Sequence, residues 1–582
     1  MILQALTQLY EDLVQRNAIA RPGWTPAKIS YALCIDQAGC LKQVVPLRDE
    51  VQRGKKTVLV PKSMELPTAV IRSSGVLPNF LWDNASYLMG VLPKETKDRK
   101  VKPERIIQCF EASRALHHEL LDDVDVPEAK AILAFFDSWQ PQRAQEEPVL
   151  QDVLEDLQKG GNLVFRIDEI FAQDIPSICS AWDRHYNSGD AGEETAQCLV
   201  TGKPDVPERT HPMLKGVVGA QSSGASLVSF NAPAFCSYGK EQSLNAPVGK
   251  YAAFAYTAAL NHLLADRKRV YRIGDTTVVC WAGGADPVYA DVFDVWCMDG
   301  SAAEAFTEDD LHAVMDHLSN GLPCQQLPVD MDRRFYILGL SPSAARISVR
   351  FFYNSTFGDL MRHVMQHHKR LEIKGSWYPI MPLWALLRET VNLKSTDKSP
   401  SPVLAGAVAR SVFTGSPYPA SLLEGVMMRI RAEREITPGR AAILKAYYLS
   451  RPNELCPEEV LTVSLNENST NVPYTLGRLF CVYEALQKRA NPDINTTIKD
   501  KYFNSASATP AMIFPVLDNL AAKHLRKLEG GNKVWYDRQI TELKSVLGEM
   551  NPTRLTLPEQ GAFNLGYYHQ KKCVPYRNKE EK

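Results

Sequence analysis

The spacing of apolar residues divides the chain into a first part that mixes strands with helices and a last part made of helices. Ile2, Leu6, Leu9 and Leu13 recur at helical spacing and predict an amphipathic first helix, without the basic start of a signal peptide. From Lys28 to Val60, short apolar runs alternate with turn residues, a pattern typical of strands joined by short loops. The chain therefore begins with a helix and a sheet.

Helical spacing returns between residues 103 and 157, where apolar residues three and four positions apart predict a helical insertion. Two glycines, at positions 160 and 161, end this pattern, and Asn162 to Asp168 then predicts a strand. Hairpins are predicted over Val270 to Ala282, turning at Gly274 and Asp275, and over Arg334 to Tyr353, turning at Ser341 to Ala344.

Strand signals become sparse after about residue 382, and amphipathic helices follow one another to the end of the chain. The predicted fold class is α+β, with short antiparallel strands and helical insertions in a mixed region over residues 1–400. An all-α helical bundle is predicted over residues 401–582.

The composition is that of a soluble globular protein with several domains. The chain has 582 residues, 45% of them hydrophobic and 23% charged, and a net charge of -1. Its 12 cysteines include no C-x-x-C pair, as expected for reduced thiols in the cytosol. No apolar run approaches the roughly 18 residues that cross a bilayer. We expect a cytoplasmic protein without a membrane partner.

The end of the chain is locally basic although the whole chain is almost neutral. Residues 471–582 contain 17 Lys and Arg against 11 Asp and Glu. A solvated helix face explains much of this excess, but the spacing also permits a stripe that follows a nucleic-acid backbone. The residues of this candidate stripe are Arg478, Lys488, Arg489, Lys523, Arg526 and Lys527.

The stretch from His211 to Val248 is long, almost uncharged and rich in Gly, Ser, Asn, Gln and Ala. Small residues allow the backbone to approach a groove, and amide side chains offer donors and acceptors without net charge. A long loop without a ligand is the alternative interpretation, although Phe230, Phe235 and Tyr238 argue against disorder.

Sequence motifs of catalysis are mostly absent. No Walker A pattern follows the glycines of this stretch, and Ser222 and Ser223 do not sit in G-x-S-x-G. His363 and His367 have metal-ligand spacing but no third ligand, so we interpret them as a pair on a helix surface. Asp275 is interpreted as the cap of a turn. We therefore expect a protein that is not an enzyme and that holds neither a metal nor a cofactor.

Five segments carry a resemblance to a known family. They are MILQALTQLY at the start, PNFLWDNASYLMG from Pro78, LKGVVGAQSSGASLVSFNAPAFCSYGKEQSLNAPV from Leu214, YAAFAYTAALNHLL from Tyr251 and IGDTTVVCWA from Ile273. With these segments the chain resembles, over essentially its full length, the large-subunit family of the type I-C CRISPR surveillance complex, Cascade. None of the segments is a common catalytic motif.

The resemblance implies a non-catalytic subunit of a guide-RNA-directed complex that recognises the protospacer-adjacent motif in duplex DNA. It implies a role in opening the duplex, in R-loop formation and in preparing the DNA for a separate helicase-nuclease. The implied partners are the guide-RNA ribonucleoprotein, with its backbone, guide-processing and small subunits, and double-stranded target DNA. The C-terminal helices resemble the small subunit, which in this family can also be made separately by internal translation.

On this basis the polar stretch is predicted to contact DNA. Small and amide-bearing residues suit the minor groove, where an inserted side chain can part the first base pair, and Gln221 is the candidate wedge. Each of these residues could instead shape the loop through hydrogen bonds to the backbone. The candidate DNA contacts are Lys215, Gln221, Ser222, Ser223, Asn231, Lys240, Gln242 and Asn245.

Overall fold

A computed structural model describes the chain in two compact units. The described residues are 1–53, 56–70, 75–94, 102–187, 195–230, 232–299, 313, 316–318, 320, 329–392, 394–396, 398–548 and 550–573. The first unit comprises Leu3–Pro212 and Phe230–Ala259, and the second comprises Met213–Ser229 and Leu260–Lys582. Each unit is therefore built from two separate pieces of chain.

Two larger sheets, a two-stranded sheet and a set of helices form the described part of the first unit. A three-stranded antiparallel sheet has the order β1-β5-β4, and a five-stranded sheet has the order β3-β2-β7-β6 with β8 beside β7. Strands β2 and β7 run parallel, and the other pairs of this sheet are antiparallel. The strands are β1 Trp24–Ile29, β2 Tyr31–Ile35, β3 Leu41–Pro46, β4 Arg48–Arg53, β5 Lys56–Pro67, β6 Trp82–Asn84, β7 Asn162–Ile167 and β8 Ile170–Phe171, followed by the short pair β9 Ala196–Gln197 and β10 Pro204–Asp205.

The helices of the first unit pack around an aromatic core. They are α1 Ile2–Gln15, α2 Ala85–Met89, α3 Pro103–Leu121, α4 Pro127–Ser138, α5 Leu154–Lys159 and α6 Pro176–Asn187, and α7 Lys250–Ala265 begins here and ends in the second unit. Phe80, Phe136 and Phe165 surround the fully buried ring of His117. The Leu81 N–H donates to His117 Nε2 at 3.0 Å, and His117 Nδ1 lies 2.7 Å from the Ser113 carbonyl oxygen. This histidine is therefore a core residue in one neutral tautomer.

An antiparallel four-stranded sheet opens the larger piece of the second unit. Its order, β11-β12-β13-β14, follows the sequence, so each strand pairs with the next. The strands are β11 Tyr271–Ile273, β12 Thr276–Ala282, β13 Arg334–Ser343 and β14 Arg346–Thr356. Gly274 has a φ of +64°, which allows the two-residue turn between β11 and β12.

Helices make up most of the rest of the second unit. They are α8 Pro287–Phe293, α9 Phe357–Leu371, α10 Leu383–Arg388, α11 Pro402–Thr414, α12 Ala420–Glu433, α13 Pro438–Ser450, α14 Val472–Ala490, α15 Ile498–Ala508, α16 Pro510–Leu525, α17 Gly530–Leu547 and α18 Leu557–Lys571. One hydrophobic cluster runs from Ile273 in the sheet to Tyr568 in the last helix. The sheet and the helices of this unit therefore share a single core.

Helices α14 and α18 approach until their backbones touch. A Cβ atom on Gly477 would lie 2.0 Å from the Phe563 carbonyl oxygen, and one on Gly566 would lie 2.0 Å from the Tyr474 carbonyl oxygen. Both distances are far below van der Waals contact, so any side chain at either glycine would force the helices apart. The contact thus requires glycine on both helices.

The predicted α+β class is confirmed, with strands towards the N-terminus and helices towards the C-terminus. The first hairpin turns at Gly274 and Asp275 as predicted. The second turns two residues later than expected, because Ser341 and Ser343 are paired with β14 and the turn is at Ala344. The compact units do not coincide with the ranges 1–400 and 401–582, which were drawn where strand signals give way to helices, and that division stays a prediction.

Replacing Gly477 with alanine should destabilise the second unit strongly. The added Cβ meets a backbone oxygen that cannot rotate away, and overpacking of this kind costs about 1–3 kcal/mol, occasionally more. Gly531 is a matched control in α17, because a Cβ there meets nothing within 4 Å. We expect Gly531→Ala to leave the free energy of unfolding unchanged or raise it by up to about 1 kcal/mol. Urea unfolding followed by circular dichroism measures both, and equal stabilities would contradict the close contact.

Stability should fall as the pH is lowered from 7 to 5. Burial lowers the pKa of His117 and of His569 to about 4, whereas an unfolded histidine titrates near 6.5. The unfolded chain therefore binds protons first, and the stabilisation present above about pH 6.5 is lost towards pH 4. Partial burial lowers the pKa of His118, but Asp122 and Asp137 raise it overall, so this group offsets part of the loss. Calorimetric melting temperatures that stay constant from pH 7 to pH 5 would refute this expectation.

Candidate nucleic-acid interface

The first part of the polar stretch forms a closed loop in the second unit. The Leu214 N–H donates to the Ala225 carbonyl oxygen at 3.0 Å, and the Ala225 N–H donates to the Leu214 oxygen at 2.9 Å. We call the residues between and including these two, 214–225, the first loop. Leu214, Val217 and Ala225 are buried, so the base of the loop is apolar.

Three hydrogen-bonded anchors hold the first loop on the second unit. The Val218 N–H donates to Thr277 Oγ1 of β12 at 3.0 Å, and the Lys215 N–H donates to Asn261 Oδ1 of α7 at 2.9 Å. Just after the loop, the Ser226 N–H donates to the Ala345 oxygen at 3.1 Å, at the β13–β14 turn. The loop is therefore fixed by α7 and by the four-stranded sheet of the second unit.

The tip of the first loop is polar and exposed. Gln221, Ser222 and Ser223 are all exposed, and the Gly224 N–H closes their turn on the Gln221 oxygen at 3.0 Å. Gly224 has a φ of +110°, and a Cβ there would lie 2.7 Å from Met213 Cβ, so only glycine fits. Lys215 is also exposed. Four of the predicted DNA contacts thus lie on one anchored loop.

Three of the other contacts predicted from this stretch fall in the first unit, on a second loop formed by residues 232–248. Lys240 and Gln242 are exposed there. Asn245 is half-buried, and its side chain organises the loop: Oδ1 accepts from the Ser237 N–H at 2.8 Å, and Nδ2 donates to the oxygens of Lys240 and Gln242. Asn245 therefore shapes the loop through the backbone, the alternative that the sequence left open. Asn231 lies outside the described residues.

Tyr238 stands at the tip of the second loop and was not among the predicted contacts. Its side chain is 100% exposed, and the turn is closed by the Lys240 N–H on the Ser237 oxygen at 3.0 Å. Both central residues of this turn have positive φ, +54° for Tyr238 and +68° for Gly239, as in a type I′ turn. A bulky residue in that region costs on the order of 1–3 kcal/mol, and such strain concentrates at functional sites. Sequence spacing carries no signal of this backbone conformation.

Two members of the candidate basic stripe already have partners within the second unit. Arg478 is buried in α14, where Nε donates to Gln570 Oε1 at 3.0 Å and Nη1 donates to the Glu467 oxygen at 3.1 Å. Arg478 therefore cannot belong to an exposed stripe, and including it there was wrong. Lys488 Nζ lies 2.6 Å from Glu484 Oε1 and balances that buried carboxylate.

The other four members of the stripe are exposed at neighbouring helix ends. Arg489 lies in the last turn of α14, and Lys523, Arg526 and Lys527 lie at or just beyond the end of α16. The two ends meet because Lys527 Nζ donates to Asn491 Oδ1 at 2.7 Å. We call these four residues the helix-end cluster. Cations at helix C-termini also complement the helix dipole, so position alone does not establish nucleic-acid binding.

The histidine pair on α9 is not a surface pair. His363 Nδ1 lies 3.0 Å from the Phe413 oxygen, and His367 is buried with Nδ1 2.5 Å from the Tyr418 hydroxyl. Burial lowers the pKa of His367 well below its ordinary value, so the ring is neutral. The surface interpretation was wrong because both rings bind to neighbouring elements of the same unit.

Asp275 does more than cap its turn. Its Oδ2 accepts from Ser341 Oγ and from Arg350 Nη2, both at 3.1 Å, and so ties the first hairpin to β13 and β14. Partial burial raises the pKa of this carboxyl, but the Ser341 hydrogen bond and the Arg350 charge hold it below the ordinary value.

Two features are absent from the described part of the chain and bear on other functions. No group of three or more His, Cys, Asp or Glu side chains there is arranged to hold a metal ion. Within the same residues, no helix combines the length and apolar character needed to cross a bilayer. The expectations of no cofactor and no catalysis stay predictions.

Comparison with known proteins identifies the family. Residues 6–574 match the family model described as CRISPR-associated protein (Cas_Csd1), which covers nearly the whole chain. No curated protein matches the chain. The resemblance drawn from the five sequence segments is confirmed, and the chain belongs to the Csd1 family, the large subunits of the type I-C CRISPR complex Cascade.

Proposed function

We propose that this Cascade large subunit recognises the protospacer-adjacent motif in duplex DNA without catalysing a reaction. In this proposal it promotes duplex opening and R-loop formation in the cytoplasm and prepares the DNA for a helicase-nuclease. Its partners are target DNA and the guide-RNA ribonucleoprotein with its backbone, guide-processing and small subunits. The carrying observation is the anchored first loop, whose exposed tip presents Gln221, Ser222 and Ser223.

The chemistry of the two loops supports minor-groove reading. The minor groove presents mainly acceptors, which the Gln221 amide, the serine hydroxyls and the Lys215 ammonium group can meet as donors. A loop fixed at its base loses little conformational entropy when its tip binds, so more of the contact energy appears as affinity. Lys240 and Gln242 on the second loop offer the same donor chemistry.

The helix-end cluster supports a backbone contact elsewhere on the nucleic acid. Arg489, Lys523, Arg526 and Lys527 are exposed cations on adjoining helix ends, and phosphate contacts of this kind strengthen binding regardless of sequence. In the proposal they steady the displaced strand or the guide–target hybrid.

Two alternative functions can be tested against this proposal. A metal-dependent nuclease would need the histidines of α9 as ligands, but His363 and His367 direct Nδ1 to protein groups. A purely architectural subunit would pack its two loops against another protein. Crosslinking from the first loop in the assembled complex distinguishes DNA recognition from a purely architectural role. DNA recognition predicts that DNA is captured, and an architectural role predicts that protein is captured.

Loss of the loop donors should weaken recognition of motif-bearing duplex. A variant with Lys215→Ala, Gln221→Ala and Lys240→Ala removes three exposed donors, each worth about 1–3 kcal/mol if it reads a base. We expect at least a tenfold loss of affinity by the assembled complex for motif-bearing DNA, and a smaller loss for duplex without the motif. The matched control is Lys28→Ala, Gln43→Ala and Lys62→Ala, which removes the same residue types from exposed strand positions. Equal effects of the two variants would contradict the assignment.

The side chain that parts the first base pair can be identified by kinetics. With 2-aminopurine beside the motif, Gln221→Ala should slow the fluorescence rise on duplex opening more than it weakens motif binding. Ser222→Ala controls for a neighbouring change at the same tip. Tyr238→Ala tests the exposed ring of the second loop as a second candidate. Unchanged opening rates in all three variants would rule out wedging by these residues.

A further inference from the structure

Two adjoining clefts in the second unit form one groove that no role described so far uses. The first, of about 950 Å³, lies between the β11–β12 hairpin, α10 and the residues before α11. The second, of about 720 Å³, lies between β14, α11 and the residues before α12. Asp275 and Pro402 line both clefts. We call the two together the hairpin groove, and its shape suits an elongated ligand.

The lining of the hairpin groove is strongly basic in a chain that is nearly neutral. Among the described residues it has seven cations and two carboxylates. One of the two carboxylates, Asp275, is paired with Arg350 at 3.1 Å. The cations are Lys268, Arg272, Arg350, Arg388, Lys398, Arg410 and Arg451.

Four of these cations are available to a ligand. Lys268, Arg388, Lys398 and Arg410 are exposed and form no ion pair within the described part of the chain. They come from four separate segments, which the fold brings to one groove. Like charges gathered this way repel one another, and an anionic ligand with several charges would relieve that repulsion.

An aromatic side chain stands among the cations. Trp384, in the first turn of α10, lines the first cleft with half of its surface exposed. Its ring packs edge-on against Tyr378, with the ring centroids 5.9 Å apart. The indole is therefore held by a neighbour while much of it stays accessible, as a stacking platform requires.

We infer that the hairpin groove binds single-stranded nucleic acid, with phosphates on the cations and a base on Trp384. Positively charged grooves with exposed aromatic rings are the usual means of holding single strands. A duplex keeps its base faces stacked inside, so it could not use Trp384. This inference does not rest on motif recognition by the two loops.

Binding of short labelled oligonucleotides by the full chain tests the groove directly. Fluorescence anisotropy with 20-nucleotide single-stranded DNA or RNA should show at least a tenfold loss of affinity in Arg388→Gln, Lys398→Gln, Arg410→Gln. The slope of log affinity against log salt should become shallower by about 2, because each lost phosphate contact removes roughly 0.7. The matched control Lys501→Gln, Lys533→Gln, Arg554→Gln removes three exposed cations outside the groove lining. Indistinguishable losses in the two variants would overturn the inference.

Stacking is tested at the two exposed tryptophans. Trp384→Ala should weaken oligonucleotide binding by at least fivefold, and Trp384→Phe should retain most of the affinity. Trp377→Ala is the control, because Trp377 is 65% exposed and does not line the groove. If Trp384→Ala binds as tightly as Trp377→Ala, the groove has no stacking platform and the inference fails.

Crosslinking in the assembled complex shows whether the bound strand is DNA or guide RNA. A photoreactive residue in place of Val403, which is 82% exposed in the second cleft, should crosslink to nucleic acid. Capture of the displaced DNA strand or of an unpaired segment of guide RNA supports single-strand binding by the groove and identifies the ligand. Capture of protein alone overturns it. Because the oligonucleotide assay needs no motif, the groove can fail while motif recognition stands, and the reverse.

Discussion

The contact between the backbones of α14 and α18 is the constraint on which the C-terminal part of the second unit depends. With Gly477 and Gly566 at the contact, polar groups on the two helices also reach one another: Tyr474 bonds to His569 and Arg478 to Gln570. Buried polar groups are costly unless they are paired, so this spacing of the helices is the one that satisfies them. One residue of the helix-end cluster, Arg489, lies in the last turn of the same helix α14.

The two loops of the polar stretch follow a common design although they belong to different units. In each loop, hydrogen bonds to backbone or amide groups hold the base. The donors of the exposed side chains at the tip stay accessible to a ligand. Asn245 illustrates the division, since its side chain holds the backbone of Lys240 while the Lys240 side chain stays exposed. Preorganised polar loops on a rigid base suit recognition in which small energy differences separate one short DNA sequence from another.

Periodicity was sufficient to predict the α+β class and the Gly274–Asp275 hairpin, because those depend on residues close together in sequence. It failed for Arg478, since charge on a helix does not reveal that α18 offers a glutamine and that the segment before α14 offers two carbonyl oxygens. The strain at Tyr238 lies in a turn that Lys240 closes on Ser237 and that Asn245 holds through the Ser237 N–H, and the hairpin groove joins Lys268 to Arg410. Such features arise only when distant segments meet, which a pattern along the chain cannot show.

The division of each unit into two pieces sets an order during synthesis. The first unit is complete once the ribosome has made Ala259, and with it the second loop can take its final form. The first loop is made earlier, yet Ser226 has no backbone partner until Ala345 and Ile347 emerge. A chain that stopped before Ala345 would carry the first loop with its anchors at Asn261 and Thr277 but without the third, at the β13–β14 turn. The first loop, which carries Gln221, is thus synthesised before the second loop, which carries Tyr238. It is fully anchored only after the second loop.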